Sequence, residues 1–248
     1  MMKDRPSPEG RWALTMKHSD YHFDKTRKEQ PFSILGHFHG EDWGAEVDNL
    51  IKISDGGAPF SFLMKKDHKW EAEHIDMIRA GYRASAVFVN RIMKPFLSRQ
   101  NAPTLFKMID WMELQGPLSA RLHVQHPGQV FPFHIDLLNV RHSEEYPLSE
   151  MEKEPELWTR FQVQLAEWEY GHMWAIGNTY WNQWKTGEIM HHSWHNIPHG
   201  TANASLTARV TLQVSGRITD ATRKKIGQVD QKIDLRTIKP GTFNETEL

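Results

Sequence analysis

The sequence contains no cysteine. That removes disulfides, thiolate metal sites, iron–sulfur clusters and cysteine nucleophiles together, so any metal here must be held by nitrogen and oxygen. It also lacks an excess of charge of either sign: 30 Lys and Arg stand against 31 Asp and Glu, a formal charge of −1. With no long basic run, neither nucleic acid nor an anionic membrane is expected as a partner. Apolar runs are far too short to span a bilayer, and the N-terminal stretch has no apolar segment of signal-peptide length, so the expected location is the cytoplasm. Internal repeats and low-complexity tracts are missing as well. At 248 residues the chain suits one large domain with extensions better than two full ones.

What is present is histidine and aromatic side chains: 15 His, 10 Trp and 12 Phe. Nine of the histidines lie between residues 123 and 199, a clustering that points to chemistry. Residues 1–30 read as an irregular arm, followed by two short strand-like pieces, "FSILGHFHG" and "NLIKIS". From Asp67 the apolar period becomes that of a helix, and "TLFKMIDWMEL" (104–114) predicts a second helix ended by Gly116-Pro117. "ASAVFVNRIM" between them fits a buried strand or a helix continuation. After Pro117 come "ARLHVQ", "QVFPFHID", "RFQVQLAEW", "HMWAIG", "EIMHHSW" and "ARVTLQVSG", strand candidates separated by turn-prone "HPG", "GNT", "KTG" and "HGTANAS". Short strands at this spacing predict a sandwich or barrel. The expected layout is one domain in three parts. Residues 1–117 form an arm and mostly helical support, 118–216 a β core, and 217–248 a polar extension with one packed segment and a loose end.

The frame His-Ile-Asp occurs twice, at His74/Asp76 and His134/Asp136, and looser His-x-Asp pairs occur at His18/Asp20 and His22/Asp24. Random order gives roughly one such pair in a chain of this composition, so spacing alone proves little. Ile75, Ile78 and Tyr82 fall at i, i+3 and i+7. On that helix, positions two apart point about 200° from one another, so His74 and Asp76 diverge. In "QVFPFHID" the period is two, and His134 and Asp136 project from one face of an extended strand, about 6 to 7 Å apart at Cα. They can converge on one ion. Joined by a distant His, they make the facial triad of non-haem Fe(II) oxygenases, which leaves one side of the octahedron open.

Downstream, His191, His192, His195 and His199 are available. A zinc-protease arrangement of His195 and His199 fails, because Pro198 sits in the turn and Asn196 replaces the required Glu. His199 is the leading third ligand and His195 its substitute; His191 and His192 are not expected to be ligands. Ten residues after His199 comes Arg209, whose guanidinium fork suits the far carboxylate of 2-oxoglutarate. Strand alternation gives Arg209 the same face as Thr211 and Gln213, a polar barrel interior. Trp168, Trp174, Trp181, Trp184 and Trp194 are expected as core and rim packing.

"ARLHVQHPGQVFPFHID", "RFQVQLAEW" and "HGTANASLTARVTLQVSG" together resemble the successive core motifs of the aspartyl/asparaginyl β-hydroxylase family of Fe(II)/2-oxoglutarate-dependent oxygenases. The resemblance runs over residues 118–216: a Pro-Gly turn with the metal His six residues after Gly128, Arg160 opening a middle strand, and Arg209 ten residues after His199. It implies a double-stranded β-helix (jelly-roll, cupin-like) with His134, Asp136 and His199 on Fe(II). It also implies Arg209 on the outer carboxylate of 2-oxoglutarate, Arg160 and Gln162 lining the same pocket, and His123 at a position where the family has a small polar contact. Gln162 stands where animal aspartyl hydroxylases have a histidine, and Asp136 is a metal carboxylate that those enzymes lack; both features are closer to bacterial members.

The activity so implied is hydroxylation of an unactivated C–H bond, with O2 and 2-oxoglutarate as co-substrates, in a free amino acid, small metabolite or short peptide. The Asp136 carboxylate fills the position that halogenating relatives leave for chloride, which favours hydroxylation. Two other classes fit the residues. One is a cupin-like metalloenzyme with the same His/Asp/His set and no 2-oxoglutarate, acting as an isomerase, lyase or other dioxygenase. The other is a non-enzymatic small-molecule binding barrel.

Overall fold

Strand alternation sets the architecture. In the computed structural model, which describes residues 32–54, 58–59, 89–134, 154–192 and 197–241, β11 (Arg209–Arg217) turns Val210, Leu212 and Val214 to one side and Arg209, Thr211, Gln213 and Ser215 to the other. Two antiparallel neighbours, β4 (Gln115–Gln125) and β6 (Trp158–Gln164), carry the same split in register. Leu122 and Val163 stand beside Leu212, while His123 and Gln164 stand beside Thr211. One face of the sheet is therefore apolar and the other polar.

Further strands extend this sheet on both edges. β9 (Glu188–His192) pairs with β6, β1 (Phe32–His39) with β9, and β12 (Gln231–Asp234) runs parallel beside β1. On the opposite edge β3 (Asn90–Ile92) pairs with β4, and β2 (Ala58–Pro59) with β3. A second sheet of four strands has the order β5 (Val130–His134), β10 (His199–Asn203), β7 (His172–Ile176), β8 (Thr179–Trp181). From β4 to β11 the chain winds between the two sheets, giving the inner orders β9-β6-β11-β4 and β5-β10-β7-β8. This is a double-stranded β-helix, the jelly-roll architecture expected above.

Helices cover the apolar outer face of the large sheet. α1 (Gly44–Ile53) contributes Val47 and Leu50, and α2 (Pro103–Met112) contributes Leu105, Phe106, Met108, Ile109 and Met112. They join Leu122, Val124, Phe161, Val163, Ile189, Val210, Leu212 and Val214 in one buried cluster. Each such side chain contributes about 1.5–3 kcal/mol on burial, which fixes the strands whose other face is polar. No side chain of its own caps α2; instead Glu46 of α1 accepts from the Thr104 and Leu105 backbone N–H groups at 2.9–3.2 Å. Among the described residues no helix is long and apolar enough to cross a membrane.

Several local expectations change. "NLIKIS" is part of α1 rather than a strand, because Val47 and Leu50, three apart, lie on one covered helix face. α2 stops at Met112, where Glu113 turns left-handed (φ 51°), and Gly116 and Pro117 fall inside β4. "HGTAN", expected as turn, is β10 in the interior of the small sheet. Its Gly200 is small for a reason: a Cβ there would lie 3.0 Å from the Phe131 carbonyl oxygen. "GNT" is the turn expected, its Gly177 and Asn178 joining β7 to β8. The polar C-terminal stretch holds α3 (Asp220–Ile226), capped by Thr219, and then sends Ile233 and Leu235 into the core. Among the described residues the N-terminal support is two helices and three sheet-extending strands, and "ASAVFVNRIM" supplies β3 at residues 90–92. The arm at 1–30, the helix from Asp67 with His74 and Asp76, and Trp194 lie outside the described residues.

Candidate functional site

The polar face of the large sheet looks across at the small sheet. Its cross-strand rows are Gln125–Arg209, then Arg91–His123–Thr211–Gln164, then Arg121–Gln213–Gln162–Met190, then Ser119–Ser215–Arg160–His192. These four rows carry four arginines and two histidines and no carboxylate. Glu188, on the same face of β9, accepts a bond from Trp181 Nε1 at 2.5 Å.

On the small sheet, His199 opens β10 directly opposite His134, the last residue of β5. The two positions expected to ligate metal are therefore cross-strand neighbours, although 65 residues separate them in sequence. His199 is buried, and its Nδ1 lies 3.0 Å from the Ile197 carbonyl oxygen. A carbonyl can only accept, so Nδ1 is the protonated nitrogen in that contact, as it is in histidines that bind metal through Nε2. The His192 ring lies edge to face against His199, 5.2 Å between centroids. Asp136, the His134 side chain and His195 lie outside the described residues. Among the described residues no three His, Asp or Glu side chains gather into a metal set.

Arg209 is 3% exposed. Its Nε donates to Gln125 Oε1 at 3.0 Å and an Nη to Thr211 Oγ1 at 3.0 Å, while the Trp174 ring lies 5.2 Å from the guanidinium carbon. Among the described residues no acidic side chain pairs with it, so a buried cation is held by neutral acceptors only. Burial lowers its pKa to about 9, which leaves it charged at neutral pH. Such a group is a fixed site for an anion.

Arg160 and Gln162 stand on the same face. Arg160 Nε donates to Ser215 Oγ at 2.9 Å, and Gln162 Nε2 to Gln213 Oε1 at 2.9 Å. His123 is held well below its ordinary pKa, first by burial and then by Arg91, Arg121, Arg209 and Arg160, so its ring is neutral at neutral pH. The structure thus brings His123, Arg160, Gln162, Arg209 and the two strands that carry His134 and His199 around one interior. Trp174, Trp181 and Trp184 pack at its side with Ile176, Met190 and Ile197.

Sequence reasoning overlooked two residues here, and a third, His192, it named only as a non-ligand. Gln125 bridges the sheets, accepting from Arg209 while its Nε2 donates to Thr201 Oγ1 at 3.1 Å. Gln164 accepts from Thr211 Oγ1 at 2.8 Å, and His192 touches His199. Alternation along "RFQVQ" and "HVQ" marks the two glutamines as inward, but only strand register shows which partners they meet.

Several interior polar atoms are buried with no hydrogen-bond partner among the described residues: His123 Nε2, Gln162 Oε1, Gln164 Nε2 and Trp174 Nε1. Buried polar groups are rarely left unsatisfied, so the interior is built for a polar occupant.

No protein-family model and no curated protein matches the chain. Solved structures similar to it include a prolyl-4-hydroxylase from Pseudomonas putida, at 12% identity over 76% of this chain and 93% of that one, TM-score 0.48. EvdMO1 is similar at 14% identity over 83% of this chain and 49% of that one, TM-score 0.44. A Cupin 2 conserved barrel domain protein from Salinispora arenicola CNS-205 is similar at 8% identity over 47% of this chain and 76% of that one, TM-score 0.28. At these identities and scores the likenesses assign no activity to this chain.

Proposed function

We propose that this protein is an Fe(II)- and 2-oxoglutarate-dependent oxygenase that hydroxylates an amino acid, small metabolite or short peptide. The observation that carries the proposal is that His199 and Arg209 come from opposite sheets to one interior. His199, tied through Nδ1 to Ile197 and in register with His134, lies on one sheet, and the anion-seeking Arg209 projects from the other. The available donors fit Fe(II): imidazole nitrogens and a carboxylate, with no thiol in the chain. His134, Asp136 and His199 would hold the metal. Fe(II) and 2-oxoglutarate, when bound, would supply the means to activate O2, one oxygen atom going to the substrate as hydroxyl and the other to the co-substrate, which would lose carbon dioxide and become succinate.

The chain's own residues bind and orient. Arg209 holds the far carboxylate of the co-substrate, with Gln125 and Thr211 fixing the fork so that little reorganisation is needed on binding. Arg160 and Gln162 line the remaining polar wall, and neutral His123 contributes hydrogen bonding rather than charge. Trp174, buried against the Arg209 guanidinium, bounds the side of that wall.

Succinate release from 2-oxoglutarate and Fe(II), measured across a panel of free amino acids and short peptides, tests the proposal. A substrate that stimulates release is expected, and His199→Ala and Asp136→Ala should each abolish it. Undiminished turnover in the Asp136→Ala protein would sink the assignment.

A further inference from the structure

Two hydrogen bonds beside Arg209 run in one direction. Arg209 Nη donates to Thr211 Oγ1 at 3.0 Å, so the hydroxyl proton of Thr211 is free to go elsewhere, and it goes to Gln164 Oε1 at 2.8 Å. A guanidinium can only donate, so it fixes the sense of the whole relay. The Gln164 amide is therefore turned with its oxygen toward Thr211 and its nitrogen away. That nitrogen is buried on a side chain with 0% exposure, and it has no hydrogen-bond partner among the described residues. An amide N–H group left dry in this way costs about 1–3 kcal/mol. The cost is removed if a ligand acceptor stands against that nitrogen, one hydroxyl away from Arg209.

We infer that Gln164 donates a second hydrogen bond to the carboxylate that Arg209 holds, with Thr211 setting the amide. The inference rests on the oxygenase proposal for the identity of the anion, 2-oxoglutarate, and adds a binding residue to it. Its logic is chemical. A carboxylate presents two oxygens, Arg209 serves them as a cation, and Gln164 adds a neutral donor without adding charge. Gln125, on the other side of Arg209, has the opposite role: its oxygen accepts from Arg209 Nε, and its nitrogen is spent on Thr201. One amide anchors the cation and the other faces the ligand.

Calorimetry on the full chain loaded with Mn(II), a redox-quiet stand-in, tests this with two keto acids. 2-Oxoglutarate has the far carboxylate and 2-oxobutyrate lacks it. Gln164→Met, close in volume, should weaken 2-oxoglutarate about tenfold or more, the effect of one hydrogen bond to a charged group, and leave 2-oxobutyrate within about twofold. Thr211→Val, which frees the amide to turn, should weaken 2-oxoglutarate in the same direction. Unchanged 2-oxoglutarate binding in both variants overturns the inference, and so does an equal loss for both acids, which marks a packing role. Wild-type protein that fails to prefer 2-oxoglutarate over 2-oxobutyrate overturns the oxygenase proposal itself, and with it the inference, before any variant is made.

Discussion

The imidazole of His192 in β9 meets that of His199 in β10 at 77°, with 5.2 Å between ring centroids. Two strands of different sheets touch there, and Trp174 edges the other side of His192 at 6.5 Å. His199 is thus set by a hydrogen bond from below and a ring from across the barrel. His192→Ala removes a fully buried ring, which should cost about 2–4 kcal/mol of stability and let His199 swing. Metal affinity, measured with Co(II) by titration, should fall roughly 10- to 100-fold, while His192→Phe keeps most of it.

Arg209→Lys preserves charge but not the fork. A lysine cannot engage Gln125, Thr211 and a carboxylate in fixed directions together. The apparent KM for 2-oxoglutarate should rise roughly a hundredfold, with that for the primary substrate nearly unchanged. Steady-state kinetics varying each substrate separately checks this. Equal effects on both would indicate that Arg209 only packs.

His191 sits on the apolar side of β9 beside Phe161, and burial lowers its pKa to about 4. Unfolded, it takes a proton below its ordinary value near 6.5; folded, it does not until about pH 4. Its contribution is complete above 6.5 and is lost as pH falls from there toward 4, where the loss levels off. At pH 5 this amounts to about 2 kcal/mol. His191→Phe should therefore lose about 2 kcal/mol less than wild type between pH 7.5 and pH 5 in urea denaturation. His123 and His172, also lowered, affect both proteins alike and cancel in the comparison.

Glu46 separates scaffold from site. Its carboxylate serves the N-terminus of α2, remote in function from the barrel interior. Glu46→Ala should lower stability by about 1–2 kcal/mol in denaturant titration and leave 2-oxoglutarate affinity unchanged.

Much of the architecture was legible because strands with one dry face must alternate. "ARVTLQV" announced both its apolar side and the polar side that carries Arg209, and "QVFPFHID" announced the strand that runs as β5 over Val130–His134. Alternation is silent about neighbours, however. Nothing in "RFQVQ" tells that Gln164 meets Thr211, and nothing in "EIMHH" tells that His192 reaches His199, because those contacts depend on sheet order and not on chain order. β10 misled for another reason. Gly200 and Asn203 have turn composition, yet a Cβ at Gly200 would press on the Phe131 carbonyl, and Asn203 is buried, donating to the Gln125 and Thr207 carbonyls at 2.7 Å. "NLIKIS" misled through its branched residues, whose helical period became visible only with Val47 included.

Anaerobic addition of Fe(II) and then 2-oxoglutarate to the purified chain, followed by visible absorption, decides whether one interior holds both. A weak charge-transfer band that appears only when both are present, and is lost in His199→Ala, is the predicted result. Iron uptake with no band on adding 2-oxoglutarate would contradict it.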